Sequence, residues 1–183
     1  MEPIKVSEER IAVLIGEHGR TKKEIEKRGK MKLKINSEGI AEIASNDPLK
    51  EWEGREVVKA IARGFSPEKA FKLFKENIYL KVINLRDLFG SDNEMRRIKG
   101  RIIGEKGKCR RVIEDISEVS LCVYGDTVAL IGGTEELALA EGAINKIMEG
   151  APHCKVYTYL ERGRRKMKES RMELWRGALH QDE

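Results

Sequence analysis

The sequence predicts an α+β chain assembled from two copies of one small module, followed by a long helix. Three observations carry that prediction. A shift of 88 residues lays one stretch of the chain on another without a gap. Both copies switch between helical and alternating apolar spacing at the same points. A Gly-x-x-Gly turn recurs at the same place in each.

The repeat organises everything else. Leu14-Ile15-Gly16-Glu17-His18-Gly19 falls on Ile102-Ile103-Gly104-Glu105-Lys106-Gly107. Arg20 falls on Lys108, Lys22 and Lys23 on Arg110 and Arg111, and Ile25-Glu26 on Ile113-Glu114. Leu33 and Ile35 then meet Leu121 and Val123, while Ile40 and Ile43 meet Val128 and Ile131. Glycines, basic residues and apolar alternation thus match together.

Each copy reads as strand, helix, loop, helix, strand, strand, helix. In the second, Tyr79 to Asn84 forms a strand, and Ser91-Asp92 caps a helix that reaches Ile103. Beyond the loop, Cys109, Val112, Ile113 and Ile116 recur at helical spacing. Val119, Leu121 and Val123 alternate, Gly125-Asp126 turns the chain, and Val128 to Ile131 returns as a strand. Thr134 caps a last helix that carries Leu137, Leu139, Ala140, Ala143, Ile144, Ile147 and Met148. The first copy opens with a short strand around Ile4-Lys5-Val6. Its closing helix starts at Asp47-Pro48, a cap followed by a residue suited to the first helical position, and carries Leu49, Trp52, Val57, Val58 and Ile61. Ser66-Pro67 begins a short amphipathic connector with Ala70, Phe71 and Phe74 on one side, so the two modules are expected to pack together; a free linker would be Gly/Ser-rich. The expected domains are residues 1–75, 76–150 and a basic helix and tail at 151–183.

Composition limits the partners. Charged residues reach 37%, against about 25% in ordinary chains, with a single glutamine, Gln181, which fits a thermophile protein. The net charge of +5 favours an anionic partner only mildly. Its placement is more telling: eight basic residues lie between Arg96 and Arg111 against one acid, Glu105. Taken alone, such a run is an ordinary solvated helix face. Cys109, Cys122 and Cys154 are too scattered for a zinc site or a disulfide framework. No basic-then-apolar leader follows Met1 and no apolar run approaches membrane-spanning length, so a cytoplasmic monomer with no membrane contact is expected.

The Gly-x-x-Gly turn supplies the chemistry. A turn between two helices leaves backbone N–H groups unpaired at the start of the second helix, and the helix dipole adds positive potential there. Glycines let the backbone bend sharply and let a sugar-phosphate chain lie close against it. The apolar pair before the turn and the alternating strand after it suit the floor and wall of a groove for unstacked bases.

This layout resembles the KH domain in its type I order, in which a helix follows the last strand. The resemblance implies two tandem type I KH domains, each a three-stranded sheet packed by three helices, plus a C-terminal helix. It also implies a loop that clamps the backbone of about four nucleotides. Gly107-Lys108-Cys109-Arg110-Arg111-Val112-Ile113-Glu114, with basic residues at both Arg110 and Lys22, sharpens the match. It looks like the KH proteins of small-ribosomal-subunit biogenesis, in particular the archaeal relatives of the partner of the endonuclease that trims the 3′ end of small-subunit rRNA. That likeness covers the chain from about Ile4 to Arg176 and implies binding near the 3′ end of small-subunit rRNA or its precursor, with ribosome-assembly or translation-factor proteins as further partners.

By the same resemblance, the primary RNA site comprises Arg101, Ile102, Ile103, Gly104, Glu105, Lys106, Gly107, Lys108, Arg110 and Arg111. The secondary site comprises Ile15, Gly16, Glu17, His18, Gly19, Arg20, Lys22 and Lys23. This loop reads Glu-His rather than Glu-Lys and the helix before it offers only Arg10, so RNA contact and protein docking both stand as readings. A whole-protein alternative is a docking adaptor in ribosome assembly or translation, with RNA contact through one KH domain. No metal, cofactor or catalytic set is expected. Ile102 to Cys109 imitates a phosphate-binding P-loop but lacks its first glycine and its Ser/Thr, and His18, His153 and His180 show no ligand spacing. In the tail, Val156, Leu160, Met167, Leu174 and Trp175 offer one apolar stripe beside Arg162, Arg164, Arg165, Lys166, Lys168 and Arg171.

Overall fold

The caps Asp47 and Ser66 and the glycine turns set helix limits that the spacing implied, while Ser91 holds the N-cap position of its helix without a side-chain bond. A computed structural model describes residues 4–36 and 38–179, with side chains through Glu173. The expectations for Leu174, Trp175, Arg176 and His180 lie outside the described side chains. Contacts group the chain into two units, one of residues 1–88 with 120–133 and one of residues 89–119 with 134–183.

The first unit contains two three-stranded antiparallel sheets of the same topology. β1 (Ile4–Lys5), β2 (Lys32–Ile35) and β3 (Ile40–Ala44) are ordered β1-β3-β2. β4 (Tyr79–Asn84), β5 (Ser120–Tyr124) and β6 (Thr127–Gly132) are ordered β4-β6-β5. In the first sheet Leu33 pairs with Ile43 and Ile35 with Ala41, so one face is apolar while Lys32, Lys34 and Glu42 line the other. Helices α1 (Glu8–Ile15), α2 (Arg20–Gly29) and α3 (Pro48–Ala62) accompany this sheet. The Asp47 side chain accepts from the Leu49 N–H at 2.9 Å, and Pro48 fills the first helical position.

Of the apolar residues expected on α3, Val57, Val58 and Ile61 are fully buried, but Leu49 and Trp52 are 60% and 46% exposed. Helical phase explains the split: Gly54, Val57, Val58 and Ile61 share one side, and Leu49 and Trp52 lie off it.

The connector forms α4 (Pro67–Ala70) and a tight turn, Phe71–Phe74. Ala70 and Leu73 are buried in the same core as Val57 and Ile61. Ala129 and Ile131 of β6 join that core, with Leu80, Val82 and Cys122 packed against it. The register places these five on one face of the second sheet, since Ile131 pairs with Leu80 and Ala129 pairs with both Val82 and Cys122. On the other face, Val128 and Leu130 are also fully buried. A strand buried on both sides cannot alternate, which is why β6 reads as an unbroken apolar run.

The second unit is helical: α5 (Asp92–Ile103), α6 (Lys108–Ser117), α7 (Thr134–Met148) and α8 (His153–Leu179). Met95, Ile98, Ile102, Ile113, Ala143, Ile144 and Ile147 are buried, and α8 adds Val156 and Leu160 with no exposed surface. Two glycines let α7 and α8 approach closely. A Cβ at Gly142 would meet the Tyr159 hydroxyl at 2.2 Å, and one at Gly163 would meet Leu139 Cδ1 at 2.3 Å. Among the described residues, no helix is long and apolar enough to cross a membrane.

Candidate nucleic-acid interface

Each copy ends its first helix in a glycine and restarts four residues later, and the two turns are conformational twins. Gly16 has φ 72° and ψ 174°, His18 51° and 27°, and Gly19 75° and 17°. Gly104 has 71° and 175°, Lys106 49° and 29°, and Gly107 75° and 16°. The match extends to the flanks. Leu14 and Ile102 are fully buried, while Ile15 and Ile103 are each 38% exposed. Of each apolar pair, only the second residue has surface to offer; Ile102 belongs to the core.

The two glycines of a loop serve different ends. Gly104 occupies a region of backbone space that is essentially glycine-only, and a Cβ there would stand 2.6 Å from the Cys109 Cβ and 2.8 Å from its backbone N. Gly107 is left-handed, but a Cβ on it would meet nothing within 4 Å. The open space over Gly107 lies at the start of α6, where unpaired N–H groups and the helix dipole favour an anion.

Cations around the second loop divide by their engagements. Lys106 and Lys108 are exposed beside Gly107. Arg111 folds back onto the turn, donating from Nη2 to the Lys106 carbonyl at 2.9 Å and from Nε to the Gly107 carbonyl at 3.4 Å. Arg110 lies 3.6 Å from Glu114. Arg101 is half-buried and donates to the carbonyls of Ile147 at 2.8 Å and Ala151 at 2.5 Å. His153 returns the link: its Nε2 donates to the Arg101 carbonyl at 2.8 Å. Cys109, two residues past Gly107, is buried against Tyr157 of α8. Burial pushes its thiol up, against the lowering effect of the Tyr157 hydrogen bond. Tyr157 is raised in turn, by burial first and by Cys109 second. The loop is therefore braced from behind by α8, a support that no spacing in the sequence signalled.

The first loop has a different surround. Glu17, His18, Arg20 and Lys23 are exposed and line a cleft of about 780 Å³ with Glu24, Lys27 and Arg28; Lys22 is half-buried. Arg28 pairs with Glu24 at 2.5 Å and lies 4.7 Å from the Phe71 ring centroid. Arg10, the only basic residue of α1, donates to the carbonyls of Ile61 at 2.8 Å and Phe65 at 2.5 Å. It thereby caps the C-terminal end of α3, where a helix dipole favours a cation.

Comparisons with known proteins match this architecture. The family described as the eukaryotic type KH-domain, KH-domain type I, matches residues 79–165. A KH domain-containing protein of Methanocaldococcus jannaschii is 43% identical over the whole of this chain and 82% of its own length. The pre-rRNA-processing protein pno1 of Aspergillus fumigatus is 32% identical over 64% of this chain and 48% of its own, so the chain spans about half the length of that relative. Among solved structures, a chain from the a/eIF2alpha-aDim2p-rRNA complex of Pyrococcus horikoshii OT3 is 48% identical with a TM-score of 0.83, covering 90% of this chain and 94% of that one. The chain thus belongs to the KH-domain family that holds archaeal Dim2p and the pre-rRNA-processing protein pno1.

Proposed function

We propose that this protein binds single-stranded RNA through the loop Gly104–Gly107 and acts in small-subunit rRNA maturation, near the rRNA 3′ end. The observation that carries the proposal is the turn itself: a left-handed Gly107 with open space above it, at a helix N-terminus, beside exposed Lys106 and Lys108. Relatives described as pre-rRNA-processing, and as one component of a complex with rRNA, support it. Residues 1–75 and 76–150 act as tandem type I KH domains and 151–183 as their basic tail. Ile103, Glu105, Lys106, Gly107 and Lys108 touch the RNA, while Arg101, Gly104 and Arg111 hold the loop in shape. The chain works by binding, without catalysis, in the cytoplasm and as a monomer.

Protein docking by the first module is the second reading. Arg10 is already spent on carbonyls and Glu17 and Glu24 temper the cleft beside His18, so that loop offers a phosphate less than its twin does. A translation-factor protein is its partner, as the composition of the Pyrococcus complex suggests.

The test is Lys106→Asp measured against short single strands from the small-subunit rRNA 3′ end. Affinity falls at least about tenfold and the salt slope shrinks. Unchanged affinity across salt concentrations overturns the assignment.

A further inference from the structure

The cations of α8 fall into two sets. Arg164 donates to the Ile116 carbonyl at 2.6 Å and pairs with Glu118, and Arg171 pairs with Glu135 at 3.1 Å and Glu136 at 2.5 Å. These anchor the helix. Lys155, Arg162 and Lys166 are exposed and form no ion pair among the described residues. Together with Tyr159 they follow steps of four, three and four residues, which places all four on one line along the helix. That line runs about 16 Å and ends near the acids Glu169 and Glu173.

The line borders a cleft of about 500 Å³ between α7 and α8, lined in part by Lys146, Ala151, Lys155, Tyr159 and Arg162. The Tyr159 ring rests on Gly142, and Lys146 Nζ stands 4.9 Å from its centroid. An aromatic floor between unpaired cations is the composition of a single-strand groove. The near end of the cleft is tied to α5, the helix that leads into the loop. Arg101, three residues before Gly104, bonds the carbonyl of Ala151, and Ala151 lines the cleft.

We propose that the α7–α8 cleft carries the RNA strand onward from the Gly104–Gly107 loop, with Lys155, Arg162 and Lys166 on its phosphates. This rests on the RNA-binding reading of that loop. The Arg101–Ala151 bond, which ties the near end of the cleft to the helix leading into the loop, and the ring among the cations favour RNA over an acidic peptide, and an ordinary solvated face would leave RNA affinity untouched.

The experiment uses the full chain, a single strand of about four nucleotides and one of about twelve. Lys155→Gln, Arg162→Gln and Lys166→Gln are combined, with a thermal melt to confirm folding. Affinity for the short strand is retained. Affinity for the long strand falls at least about tenfold, and its salt slope drops by about 0.7 for each lost contact. An unchanged long-strand affinity, or an equal loss for both lengths, overturns the inference while the loop assignment stands on Lys106→Asp. Wild-type protein that binds neither strand overturns the loop reading and this inference together.

Discussion

Gly104 and Cys109 stand so close that a methyl group on Gly104 would lie 2.6 Å from the Cys109 Cβ. Gly107 has no such neighbour within 4 Å. The pair of glycines in one motif therefore separates into a member packed against the turn and a member with open space above it. Gly104→Ala should destabilise the protein by more than about 2 kcal/mol, from strained backbone and a clash against main chain. Gly107→Ala should cost about 1 kcal/mol of left-handed strain while weakening RNA binding more than that strain explains. Thermal melts beside RNA titrations separate the two.

Arg111 is expected to act through loop shape rather than charge. Its fork reaches two carbonyls of the turn, and a lysine would keep the charge but lose the paired geometry. Arg111→Lys should therefore reduce RNA affinity nearly as much as Arg111→Ala, with little change in salt slope between them. An Arg111→Lys protein that binds like wild type would show that charge alone matters.

The thiols of Cys154 and Cys109 should react at very different rates. Cys154 is exposed, whereas Cys109 is buried, and burial raises its pKa, so little thiolate forms. Alkylation followed by mass spectrometry should label Cys154 within the native state and Cys109 only on unfolding. Tyr157→Phe removes the bond to Cys109 without opening the core, so Cys109 should stay protected.

The α7–α8 contact should weaken in acid. Burial pushes the Glu136 carboxyl up, but hydrogen bonding and charge from Arg171 outweigh it and leave the group below its ordinary value. A carboxylate lowered on folding adds stability above its unfolded pKa of about 4.3, and that stability is lost as pH falls through the lower folded value. Arg171 is half-exposed, so the contribution is small, about 0.2–1 kcal/mol. Arg171→Ala should flatten the acid limb of the stability profile by that amount, read from melts between pH 6 and pH 3 (values chosen to bracket the carboxylate range).

The elements were legible in the sequence because each carried a local signal: Asp47-Pro48 and Ser66-Pro67 at helix starts, Gly125-Asp126 at a hairpin, glycines at the twin loops. The loops' shared conformation was foreshadowed by the repeat itself. What stayed hidden was which cations are free. Arg10 and Arg101 look like RNA-facing charges, yet each meets carbonyls 46 to 55 residues away in the chain. No local pattern encodes that meeting. The exposure of Leu49 and Trp52 was hidden for a related reason, since helical phase matters only once the partner face is known.

The shared core of Val57, Ile61, Ala70, Ala129 and Ile131 bears on how this chain can be divided. Two copies of a module that each held a separate core would survive a cut between them. Here residues of both copies share one interior. Cleaving the chain near residue 76 would strip one face of the second sheet of its apolar cover, leaving β6 as a sticky strand rather than half of a working protein. Fragments bearing only the second loop are thus poor probes of RNA binding, and proteolysis should find the connector resistant for as long as the whole chain is folded.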